Sequence, residues 1–132
     1  MNNAAAWYDS LIRPAFAPPA AVFGPVWAVL YAVIAVSFGY VMVLALKRRV
    51  GRRTLLPFAL NLVVNLAFTP LQFGLRSNAL AAVDIVLVLV TLIWALRAIW
   101  PHAPWVAWVN LPYLVWVAFA TVLQLSITWL NR

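Results

Sequence analysis

Few side chains in this sequence can do chemistry, and most of those that can are embedded in apolar stretches. Asp84 is one of two acidic residues in a chain of 132. A carboxylate inside a membrane segment costs at least about 2.5 kcal/mol and faces the interior of a helix bundle. Asp84 is therefore either a ligand or proton contact, or a structural carboxylate bonded to a hydroxyl, an amide or the leading loop. Arg97 cannot pair with it directly, being 13 residues along the same segment, roughly 20 Å away on a helix. Trp27 and Trp116 lie well inside their apolar runs, with Tyr31 one helical turn after Trp27 and Tyr113 just before Trp116. Flat aromatic walls with a few polar edges, here Gln72, Gln124, Asn61 and Asn65, suit a large, flat, apolar ligand.

Other chemistries are excluded by what is missing. The chain has no cysteine, which removes disulfides, thiolate catalysis and cysteine metal sites. It has no glutamate, no Ser/His/Asp set at matching depth and no glycine-rich phosphate loop. We assign no firm catalytic residue and no metal site. His102 stands alone between two prolines at a turn, on the wrong side to ligate haem iron in a cavity beneath the leading loop.

The elements that position these residues are membrane helices. The chain is 67% hydrophobic and 8% charged, whereas a soluble domain has roughly a quarter charged residues. A spanning helix needs about 20 mostly apolar residues, and four segments qualify: about 20–46, 55–75, 79–99 and 105–130. The runs are continuous rather than alternating, which excludes a barrel. The expected fold is an all-α membrane protein, one domain over residues 1–132, with a bundle of four transmembrane helices and an N-terminal outer lid loop over 1–19. The lid is rich in proline and aromatic residues, with Trp7, Tyr8, Arg13, Phe16, Pro18 and Pro19 as its marked positions. Prolines 25, 57, 70 and 112 interrupt or open helices, and either widen the bundle or are simply tolerated. No cleavable signal is expected, since Met1 to Ala6 lacks a positive n-region.

Counted inward from the outer face, Trp27, Phe68, Asp84 and Gln124 fall near one level, on the order of 10 Å deep. Trp94, Trp100, Trp105 and Trp108 flank the third-to-fourth turn and read as an interfacial belt. Ala28/Ala32 and Ala35/Gly39 are small-residue pairs that serve packing within the chain or between copies. The net charge of +7 does not indicate nucleic acid. Lys47, Arg48, Arg49, Arg52 and Arg53 form one short run between apolar segments, the mark of a cytoplasmic loop. With both termini outside, the lid lies on the outer face.

The residues that carry these readings also form a pattern. Trp7-Tyr8, Leu11, Arg13-Pro14, Phe16, Pro18-Pro19, Phe23 and Trp27 resemble the leading loop and following helix of the TspO/translocator protein family, the tryptophan-rich sensory proteins. The resemblance continues through Asn65-Leu-Ala-Phe-Thr-Pro-Leu-Gln-Phe-Gly74, Ala82-Val-Asp84 and Pro112-Tyr-Leu-Val-Trp116-Val-Ala-Phe-Ala-Thr121 to Asn131. It implies a small helical protein of a bacterial cell membrane, often a homodimer, that binds protoporphyrin IX, haem or sterol-like molecules beneath the loop as receptor or carrier. A role in tetrapyrrole transport or stress sensing follows, with no cofactor required.

By the same resemblance, Trp27 and Trp116 match pocket tryptophans, Asp84, Tyr113 and Ala120 match pocket or near-pocket positions, and light-dependent protoporphyrin breakdown is an activity of some bacterial relatives. The sequence departs from the family in lacking the helix that precedes the loop, in Phe16 and Phe68 where tryptophan is usual, and in Gln124 for asparagine. It also lacks the cholesterol motif after Tyr113. The alternative is a small proton-coupled exporter using Asp84.

Overall fold

Long runs of Val, Leu, Ile and Ala in a lipid environment leave backbone amides no partner outside the chain, and helices satisfy them internally. A computed structural model describes residues 10–12, 14, 15, 17, 20–69 and 78–131. The lid positions Trp7, Tyr8, Arg13, Phe16, Pro18 and Pro19, together with Gln72, lie outside the described residues.

A 3-10 turn, Ala20–Val22, leads into α1, Phe23–Leu46. Then come α2 (Arg52–Thr69), α3 (Asn78–Ile99), the short α4 (Pro104–Val109) and α5 (Leu111–Leu130). No strand occurs among the described residues. Helices α1, α3 and α5 are long and apolar enough to cross a bilayer. Four spans are expected from the sequence, and three qualify among the described residues. Helix α2 falls short because its 18 residues open on Arg52 and Arg53 and carry Asn61 and Asn65.

Three of the described prolines begin helices rather than break them. Pro25 lies in the first turn of α1, and Pro104 and Pro112 at the first or second positions of α4 and α5. There the missing N–H has no intrahelical partner to lose. The fourth apolar segment is thus two helices, divided at Asn110, rather than one helix interrupted at Pro112. Only Pro57 sits inside a described helix, where it frees the carbonyl of Arg53 close to the surface end.

Helix α3 is the central element, packed along α2 on one side and α5 on the other, while α1 leans across α2 and α4 through longer side chains. Phe38 of α1 meets Phe58 of α2 edge-on at 4.8 Å between ring centres. One buried cluster runs the length of the bundle, from Leu30 and Tyr113 through Phe58 and Val88 to Ile99 and Val106. Around it, Val29, Val36, Val63, Val83, Val115 and Val122 face outward. Such an apolar periphery suits lipid as solvent, where burying apolar surface no longer drives helices together and packing and hydrogen bonds must hold them. The small residues Ala28, Ala32, Ala35 and Gly39 are all exposed along α1, so they do not mediate packing within the chain.

The polar residues make the ties that apolar contact cannot. Asn110, fully buried where α4 gives way to α5, donates to Ser37 of α1 at 2.9 Å and to the carbonyl of Val106 at 2.8 Å. At the other end, the carbonyl of Asn78, which opens α3, accepts from Gln124 at 3.3 Å and Thr128 at 3.0 Å of α5. Asn131 exchanges two hydrogen bonds with the backbone of Ile12, at 2.8 and 3.1 Å. Leu11 and Ala17 pack against Leu123 and Ile127 of α5.

An aromatic groove beside a buried amide network

Asn61 and Asn65 stand one turn apart on α2, so their side chains lie on one face, and that face is buried. Tyr31 of α1 donates to Asn65 Oδ1 at 2.8 Å, and Asn65 Nδ2 donates to the Tyr113 hydroxyl at 2.7 Å. The Tyr113 hydroxyl in turn donates to Asn61 Oδ1 at 2.8 Å. Asn61 Nδ2 then bonds the Val88 carbonyl at 3.0 Å and Thr91 Oγ1 at 3.1 Å on α3. The chain joins α1, α2, α5 and α3, and each donor in it has an acceptor. In a medium of low dielectric, such a satisfied network is stiff, while any break in it is costly.

The network fixes the surroundings of Trp27. Its ring lies 5.4 Å from that of Tyr31 and 6.3 Å, edge-on, from that of Tyr113. Both neighbours are held by their hydroxyls, which restricts the indole from two sides.

Trp116 belongs to a second aromatic group. It meets Phe23 of α1 edge-on at 5.9 Å and Phe119, one turn on, at 5.6 Å. Its indole Nε1 is buried with no hydrogen-bond partner. Trp116 and Phe119 form one wall of an open groove between α1 and α5, with a volume of about 1020 Å³. The rest of the lining is Pro25, Val26, Val29 and Leu30 of α1 with Leu111, Pro112 and Val115 of α5, an almost wholly apolar surface. Small-molecule sites run to roughly 300–1,000 Å³, so the groove is large enough for a macrocycle.

Of the residues singled out from sequence, Trp27, Phe68, Tyr113, Trp116 and Ala120 all belong to or pack against the same core cluster, and Tyr31 joins through Asn65. Of these, Trp116 alone lines the groove itself, where Pro25 and Pro112 join it. Asp84 is buried, 5% exposed, and its Oδ2 has no hydrogen-bond partner. Gln124 is committed to Asn78 and Thr128, clamping α5 to the start of α3.

Sequence reasoning read Asn61 and Asn65 only as polar edges of a ligand site and not as the centre of a network tying four helices, although two amides at four-residue spacing in an apolar run were a usable signal. It also missed Val29, Val115 and Phe119, which differ in no way from lipid-facing residues until the helices are placed.

A small helical membrane protein, with an apolar groove opening sideways between its first and last long helices, is the class that this arrangement defines. The sequence profile of the TspO/MBR family matches residues 1–130, and the chain belongs to that family. It is 35% identical to the tryptophan-rich protein TspO of Bacillus cereus over 126 residues, 95% of this chain and 80% of that protein. It is 34% identical to protein CrtK of Rhodobacter capsulatus, over 96% of this chain and 79% of that one. With the human translocator protein it shares 35% identity over 89% of its own length and 70% of the other.

Proposed function

We propose that the protein is a membrane receptor or carrier for tetrapyrroles of the protoporphyrin IX or haem type. The observation that carries this reading is the groove, apolar, aromatic on one wall and large enough for the macrocycle. Family membership supports it. The edge of the macrocycle inserts between α1 and α5 against Trp116 and Phe119. The segment around Leu11 and Ile12, tied to Asn131, forms part of a lid over that end of the bundle. Helix α2 completes a bundle of four spans, with both termini outside and the 47–53 loop in the cytoplasm. Two copies associate along the exposed stripe of Ala28, Ala32, Ala35 and Gly39.

Among the described residues, no histidine, cysteine, methionine or tyrosine lines the groove, and axial ligation of haem iron requires such a donor. The protein thus recognises the ring and not the metal, so metal-free protoporphyrin and haem bind alike. Titrating protoporphyrin IX into the purified protein quenches tryptophan emission, and Trp116→Ala weakens binding at least tenfold. Unchanged emission in the wild type would remove this reading.

A second reading, a proton-coupled exporter, draws on the buried and half-unpartnered carboxylate of Asp84. It requires that Asp84→Asn abolish substrate movement in proteoliposomes carrying a proton gradient. Transport unaffected by that change excludes it.

A further inference from the structure

The end of the bundle away from Asp84 carries a feature that the tetrapyrrole reading leaves unused. Lys47, Arg48, Arg49, Arg52 and Arg53 fall within seven residues, and all five are exposed. Arg97, in the last turn of α3, is exposed at the same end. The chain has two acidic residues. Asp84 is fifteen residues before Ile99 on α3, about 22 Å away along the axis, and Asp9 lies outside the described residues. Among the described residues, no carboxylate is placed to neutralise this turn.

The turn is nevertheless a built structure. Arg48 adopts a left-handed backbone, φ 58°, with its N–H on the Ala45 carbonyl at 3.0 Å and that of Arg49 on the Leu44 carbonyl at 2.8 Å. This is the helix-ending loop in which glycine is usual, because a Cβ is disfavoured there. An arginine holds the position although Gly51 is three residues away. Val50 turns inward, 7% exposed, into the cluster that contains Ile99, Ala103 and Val106. It pins the loop to the bundle and leaves its basic neighbours outside.

Helix α2 then starts with Arg52 and Arg53 and no acidic residue in its first turn, where the helix dipole favours negative charge. The arginines that open α2 oppose its dipole, and the five clustered cations repel one another; a bound anion relieves both effects. Four of the five cations are arginine, whose planar fork matches phosphate oxygens in pairs.

The aromatic residues give the depth. Tyr40 meets Trp105 at 5.0 Å and Trp100 meets Trp108 at 6.0 Å, and such pairs settle at the headgroup level of a bilayer. The basic turn lies at the same end of the bundle, which sets it within reach of lipid phosphates when those rings sit at that level.

We propose that the α1–α2 turn is a binding site for the phosphate groups of anionic phospholipids in the leaflet on its side, with Arg48, Arg49, Arg52 and Arg53 as the recognising residues. The test is energy transfer from the protein's tryptophans to dansyl-labelled phosphatidylglycerol or dansyl-labelled phosphatidylcholine. The whole protein is reconstituted in phosphatidylcholine nanodiscs. Wild type gives stronger transfer to the anionic probe, and added salt reduces it. Arg48→Gln and Arg52→Gln each cut the enrichment by up to about fivefold. Changing all four arginines to glutamine brings it to the phosphatidylcholine level, with thermal unfolding unchanged.

Arg48→Gly relaxes the backbone and loses the cation, so it separates folding from binding: enrichment falls while stability holds or rises. Equal transfer to the two probes overturns the proposal. So does release of the labelled lipid by millimolar pyrophosphate at constant ionic strength, which assigns the turn to a soluble phosphate instead. Failure here leaves the tetrapyrrole reading untouched, since the groove lies between other residues.

Discussion

Asn65 of α2 donates to the hydroxyl of Tyr113 of α5 across 2.7 Å, and that hydroxyl donates onward to Asn61 at 2.8 Å. One phenol therefore satisfies two buried amides. Tyr113→Phe removes the oxygen and leaves an Asn65 N–H and an Asn61 carbonyl unpaired, a loss of about 1–3 kcal/mol. We expect thermal unfolding in detergent to shift down accordingly. Trp27 emission should also change, because Tyr113 forms one side of its surroundings. A variant as stable as wild type, with unaltered emission, would show that the amides find other partners.

Asn131 holds the backbone of Ile12 through two hydrogen bonds. They are exposed to solvent, so Asn131→Ala costs the whole molecule no more than about 1 kcal/mol. Its local effect is larger. Amide exchange at Ile12 should speed up several-fold, as measured by hydrogen–deuterium exchange, while exchange in α3 stays as it was. Equal rates at Ile12 in the two proteins would contradict this.

Asp84 is buried with one carboxylate oxygen unpartnered. Asparagine has nearly the same shape and no charge to desolvate, and an ionisable group in hydrocarbon costs at least about 2.5 kcal/mol. Asp84→Asn should therefore fold normally and unfold at a temperature equal to or above that of wild type. A marked fall in stability would mean that the charge itself is engaged.

Ala28, Ala32, Ala35 and Gly39 lie exposed on α1, and no atom approaches the position where a Cβ on Gly39 would be. Gly39→Leu is thus free of clashes within the chain. If copies associate along this stripe, the variant loses the dimer while keeping its unfolding temperature, as light scattering in detergent would show. A dimer that survives the change places the contact elsewhere.

The all-helical fold and the membrane were legible because unbroken apolar runs around one dense basic loop admit few other folds. The division of the last segment at Asn110 was not. Pro112 read as an interruption, but a proline in a first turn starts a helix, and only the buried side chain of Asn110 reveals where the break falls. The aromatic site was legible in part. Trp27, Tyr113 and Trp116 stand out by type, while the groove walls at Val29 and Val115 arise from helix placement alone. The equal depth expected of Trp27 and Gln124 rested on counting residues, and such counting gives no azimuth. Gln124 turns toward Asn78 and away from the groove.

The central claim is that the groove between α1 and α5 takes the tetrapyrrole. Val115 is exposed to lipid and lines that groove, so Val115→Trp fills it without disturbing the core. The decisive measurement is protoporphyrin IX affinity, by tryptophan quenching, in Val115→Trp beside Trp94→Phe, a change at an exposed position outside the groove. We predict at least tenfold weaker binding in the first and wild-type affinity in the second. Equal affinities in both variants would contradict the claim.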